Sequence, residues 1–160
     1  MTTAGLPWIP GARRALCDLP GTSLVSPRLA REFGRDELQQ WGLDPDTIDT
    51  AAQVISELTS NAVEHGGDGP MTLDLTEEGQ ALRITVTDRG RPPAPIQAGS
   101  PVTGAESGRG LAIVEALAEA WDHHHYPSTA TAVWAVIAVR RTTDSRTLPI
   151  PATDDTGALT

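Results

Sequence analysis

Glu57, Asn61 and His65 recur at four-residue intervals in the segment ELTSNAVEH, a spacing that stacks side chains along one face of a helix. A carboxylate so placed can orient a hydroxyl or accept its proton, and an amide oxygen can ligate magnesium, a hard cation that favours oxygen. Farther along, VTDRG sets Asp88 at a strand end just before Gly90. That carboxylate could accept a hydrogen bond from an exocyclic amine such as that of adenine, and a glycine lets backbone approach a flat ring. ESGRGL then puts Gly108 and Gly110 at a helix start, where free amides and the helix dipole favour phosphate. Each segment alone has a plainer reading. The first can be a solvated helix face whose His65 suits the C-terminal dipole, the second an ordinary turn, and the third a cap or a tight packing point.

The elements needed to hold these residues are legible in the flanking sequence. Asp44-Pro45 combines a capping side chain with a residue tolerated at the first helical position, which predicts a helix from Pro45 to His65 with Ile48, Ala51, Ala52, Ile55, Leu58 and Ala62 as its apolar stripe. Counting 100° per residue from Ile48 puts Glu57 at about 180° and Asn61 at about 220°, at the edge of that stripe. Such an edge can face a cleft. Gly66 to Pro70 stop the helix, and an earlier helix is expected from Pro27 to Trp41, ended by Gly42. Alternating Met71, Leu73, Leu75 and Leu82, Ile84, Val86 predict an antiparallel hairpin turning over Glu77 to Gln80. Residues 89–108 read as a long loop. A helix is expected from Arg109 to Ala120, and Thr131 to Val139 is apolar enough for a central strand. The order implies an α+β sandwich with its helices on one face.

The length suits one domain. A formal charge of -9, from 12 basic and 21 acidic residues, disfavours nonspecific binding to nucleic acid or to an anionic membrane, while leaving room for a local anion site. Cys17 is the only cysteine, which excludes intrachain disulfides and cysteine-based zinc sites. The N-terminal segment lacks the apolar run of a signal peptide, and no stretch is long enough to span a bilayer, so a cytoplasmic location is expected. Residues 1–21, broken by Pro and Gly, are expected to be an arm in which a short strand or a mobile segment both fit. Residues 22–140 are expected to form the domain, and 141–160 a flexible tail.

Together, and in this order, ELTSNAVEH, VTDRGRPPAPI, ESGRGLAIVEAL and the strand TAVWAVIAV resemble the ATPase fold shared by sensor histidine kinases, DNA gyrase and the Hsp90 chaperones. The nearest likeness is to the small anti-sigma factor serine/threonine kinases and similar actinobacterial ATP-binding regulators, over residues 22 to 140. The resemblance implies a two-layer sandwich with a mixed, mostly antiparallel sheet, and ATP and Mg2+ as ligands. Glu57 would be the general base or orient a water, Asn61 would hold the metal, and Asp88 with Gly90 would recognise adenine. Gly108, Arg109, Gly110 and Leu111 would cradle phosphates at the end of a lid formed by 91–107, with His65 near the nucleotide. Where relatives carry a Gly-Thr step before the last strand, this chain reads Ala130-Thr131-Ala132, so the adenine-pocket threonine of the family is either missing or shifted to Thr131.

The function implied is ATP-dependent phosphorylation of a small antagonist protein on serine or threonine, regulating transcription, with a sigma factor as a second partner and a homodimer left open. A nucleotide-gated protein-binding switch without turnover is the alternative, and a silent adaptor a third reading. His123, His124 and His125 invite a metal, but consecutive strand positions face opposite ways. Trp41, Trp121 and Trp134 read as packing residues.

Overall fold

The computed structural model describes residues 12–89, 107–127 and 130–142, the side chains of 107–109 excepted. Its elements are β1 (Arg13–Leu19), α1 (Ser26–Gln40), α2 (Pro45–His65), β2 (Met71–Glu78), β3 (Ala81–Arg89), α3 (Ser107–Leu117), β4 (Ala120–His125) and β5 (Ala130–Ala138). The five strands form one sheet in the order β1-β2-β3-β5-β4, and all four pairings are antiparallel. The three helices cover one face, with α2 in the middle between α1 and α3. This is the α+β sandwich with one-sided helices that the element order implies.

Residues 13–19, where strand and arm were both open, form edge strand β1, running antiparallel to β2 with Leu19 opposite Met71. β5 lies inside the sheet, as its apolar sequence requires. Helix α2 has the bounds that its signals predict: Asp44 Oδ1 accepts from the Thr47 N–H at 2.8 Å, Pro45 opens the first turn, and Gly66 caps the end. The core joins Leu58, Ile55, Val54 and Ala51 of α2 to Leu73, Leu75, Leu82, Ile84 and Ile137 beneath it. Gly34 in α1, unfavourable by helix propensity, has a packing reason: a Cβ there would lie 2.4 Å from Ile55 Cδ1, so the glycine lets α1 settle against α2.

The hairpin turn is shorter than expected. Strand β2 continues through Glu77 and Glu78, and the turn is Gly79-Gln80, with Gly79 at φ 60°. Glu77 is buried on the core face because it has partners that a sequence window cannot display. Its Oε1 receives Arg141 Nη2, its Oε2 lies 3.9 Å from Arg13 Nη1, and both arginines also donate to the Trp41 carbonyl. Contacts therefore extend past residue 140, with Arg141 also bridging Leu43. Glu77→Ala removes the shared acceptor and leaves both guanidinium groups without it; about 2 kcal/mol of stability should be lost. The check is a lower urea midpoint at unchanged slope. Trp41 and Trp121 pack against the core, whereas Trp134 lies beneath Arg83, whose guanidinium carbon is 5.0 Å from its ring centroid. No helix among the described residues is long and apolar enough to cross a membrane.

Candidate functional site

Helix α2 carries two clusters. Nine residues separate Glu57 from Gly66, about 13 Å of helix at 1.5 Å per residue. At the first cluster Glu57 is half-buried, and its Oε1 accepts from Gln53 Nε2 at 3.0 Å, one turn earlier. The first turn of α3 comes down on the same carboxylate: a Cβ at Gly110 would lie 2.7 Å from Glu57 Oε2. Any larger residue would push Glu57 aside, so the glycine is what lets a helix N-terminal turn approach the carboxylate. Asn61 follows one turn later on the same face, half-buried. Gly108 and Arg109 lie in the first turn of α3, and Leu111 is half-buried just after Gly110.

The second cluster sits where the C-terminal end of α2 meets the end of the sheet. Asp88, the penultimate residue of β3, is opposite Met71 on one side and Thr131 on the other, and both neighbours are buried. Asp88 itself is only 8% exposed. Its Oδ1 is buried without a hydrogen-bond partner among the described residues. Gly66 lies directly above, where a Cβ would come within 3.1 Å of Asp88 Oδ2. Burial pushes the Asp88 carboxyl above its ordinary value, an effect that the Thr131 backbone and His125 partly offset. A buried acceptor without a donor costs free energy that an incoming N–H can recover. Asp88 Oδ1 thus has acceptor capacity unused among the described residues.

Of the residues read from sequence, the structure brings Glu57 to Gly110 and Asp88 to Thr131, and it puts Asn61 on the face that Glu57 occupies. His65 is exposed at the end of α2 and turned toward Glu64, with Nε2 3.6 Å from Oε2. Gly90 and the expected lid lie outside the described residues, apart from Ser107, which begins α3. Sequence reasoning missed Gln53 and Gly66, and it set His125 aside. Gln53 had a usable signal, the same four-residue spacing that links Glu57 to Asn61. Gly66 was read only as a helix stop. The histidine run separates by face: His123 and His125 meet edge-on with centroids 5.2 Å apart, while His124 pairs with Tyr126 at 4.5 Å.

A single antiparallel sheet, helices on one face, and the three sequence boxes carried on α2, the end of β3 and the start of α3 define an ATPase-type domain of the histidine-kinase-like class. The family model described as "Histidine kinase-like ATPase domain" matches residues 23–137, and the chain belongs to that family. Among solved structures, the chain is similar to the RsbU and RsbW domains of Rv1364c from Mycobacterium tuberculosis, at 23% identity and a TM-score of 0.55. The match covers 79% of this chain and 33% of the other, so this chain spans about a third of that protein's solved length. That likeness is one of fold. No curated protein matches the chain significantly.

Proposed function

We propose that the protein binds ATP with Mg2+ and transfers phosphate to a serine or threonine of a small antagonist protein, in the manner of the anti-sigma factor kinases. The observation that carries the nucleotide reading is the buried Asp88 Oδ1 without a donor, at a sheet end roofed by a glycine. The exocyclic amine of adenine is the donor that fits. The kinase reading draws on Glu57, whose carboxylate stands against the N-terminal turn of α3, the end of a helix that favours phosphate. When bound, ATP with its metal supplies the transferable phosphoryl group and neutralises part of its charge.

The chain's own residues then have separable tasks. Asp88 accepts the base amine and fixes the orientation of the ligand. The first-turn amides of α3, from Gly108 to Leu111, offer donors to phosphate oxygens, and Asn61 offers an amide oxygen to magnesium. Glu57, held through Oε1 by Gln53, orients the acceptor hydroxyl and takes up its proton. The partners, an antagonist protein and a sigma factor, are those implied by the resemblance of the sequence boxes to the anti-sigma factor kinases.

Calorimetric titration with ATP, with and without magnesium, tests the ligand assignment. Wild type should bind, and magnesium should strengthen binding. Asn61→Ala should lose most of that enhancement while keeping the weaker metal-free affinity. No binding by wild type rejects the nucleotide reading, and an undiminished magnesium effect in the variant rejects the role of Asn61. Tight binding with no phosphate transfer to any serine-bearing regulator would leave the nucleotide-gated switch as the function.

A further inference from the structure

Four positions on the helix-covered face form one row across the end of the sheet. Met71, Asp88, Thr131 and His125 stand opposite one another in the registers of β2, β3, β5 and β4. Three of them are buried; His125 closes the row at the exposed edge. Its Nδ1 lies 3.0 Å from Thr131 Oγ1. Thr131 thus joins the two groups: it stands opposite Asp88 in the register of β3 and β5, and its hydroxyl meets His125.

We infer that His125 fixes the hydrogen-bonding sense of the Thr131 hydroxyl and so makes the site selective for adenine over 6-oxopurines, an inference that rests on the adenine reading of Asp88. A threonine hydroxyl has one proton to donate and two lone pairs to accept with. When Nδ1 carries a proton it donates to Oγ1, and the Thr131 O–H is released to donate elsewhere. When Nδ1 is bare it takes that proton, and only lone pairs remain for a ligand. The first arrangement is the one that lets Thr131 donate beside the Asp88 acceptor, its neighbour in the register of β3 and β5. Adenine presents an amine donor beside a ring-nitrogen acceptor, whereas hypoxanthine and guanine present a carbonyl acceptor beside an N–H donor. Asp88 as acceptor beside Thr131 as donor matches the first edge and opposes the second. His125 is therefore a positioning residue, acting through Thr131.

The test measures ATP and inosine triphosphate affinities for wild type, His125→Phe, His125→Asn and Thr131→Val, with thermal melting as a check on folding. Wild type should prefer ATP. His125→Phe frees the hydroxyl to rotate, and the ATP preference should shrink by about three- to tenfold, the worth of one hydrogen bond. His125→Asn, whose amide can still donate to Oγ1, should keep most of the preference. Thr131→Val should lose it, and adding His125→Phe to that variant should change nothing further. A preference unchanged in His125→Phe overturns the inference, as does equal loss in His125→Asn and His125→Phe. Failure of wild type to bind ATP at all overturns the adenine reading itself, and the inference with it.

Discussion

Glu57→Gln should lower phosphate transfer to a serine-bearing acceptor protein by roughly 10²- to 10⁴-fold, the range for loss of a positioned general base, with little change in ATP affinity. The substitution is chosen because it keeps the shape of the side chain. Gln53 donates to Glu57 Oε1 at 3.0 Å, and the amide oxygen of a glutamine can still accept there. The other arm remains under Gly110, where space is just sufficient for a carboxylate-sized group. Packing between α2 and α3 should therefore survive while proton acceptance is lost. A drop in kcat with binding preserved would mark an interaction made in the transition state. Equal transfer rates in variant and wild type would reject Glu57 as the base, and loss of ATP binding would show that the side chain serves the ligand instead.

Asp88→Asn should weaken ATP binding by about 10- to 100-fold, the scale for losing a hydrogen bond to a charged acceptor. The same change should alter the pH dependence of stability in the nucleotide-free protein, with a sign that burial dictates. Burial raises the carboxyl above its ordinary value of 3.8, so the folded chain holds the Asp88 proton to higher pH than the unfolded chain does. That preference stabilises the fold fully below the unfolded value and is lost as pH rises through the folded one. Asparagine does not titrate. The melting temperature of wild type relative to Asp88→Asn should therefore decline between acidic and neutral pH. A difference that stays constant with pH would contradict the buried-carboxylate account, and undiminished ATP affinity would contradict its role in recognition.

Features set by local signals were readable in the sequence, whereas those set by register were not. The Asp44-Pro45 cap and the Gly66 stop delimit α2, and simple alternation gives the buried faces of β2 and β3. The spacing of Glu57 and Asn61, and the position of Asp88 at a strand end, were legible for the same reason. β1 was ambiguous because an edge strand with one partner needs few apolar residues, and RRALCDL acquires its meaning only opposite Met71 to Glu77. Glu77 read as part of a turn because a lone carboxylate rarely enters a core. Its neutralising arginines lie 64 residues away on each side of the chain, at 13 and 141. His125 was passed over because its position opposite Thr131, and through it beside Asp88, depends on how two strands align. Gly66 and Gly110 look like punctuation in the sequence; their close approaches to Asp88 and Glu57 exist only after the helices dock.

Arg13 and Arg141 grip the same carboxylate and the same carbonyl, which brings these two distant points of the chain side by side. Six residues of β3 separate Leu82, opposite Glu77, from Asp88, about 20 Å at strand rise. Both arginines thus lie at the pole away from Asp88. A clasp of this kind ties the first strand and the segment after the last one into a single seam, so that strain applied at either is shared by both and is kept away from the opposite rim.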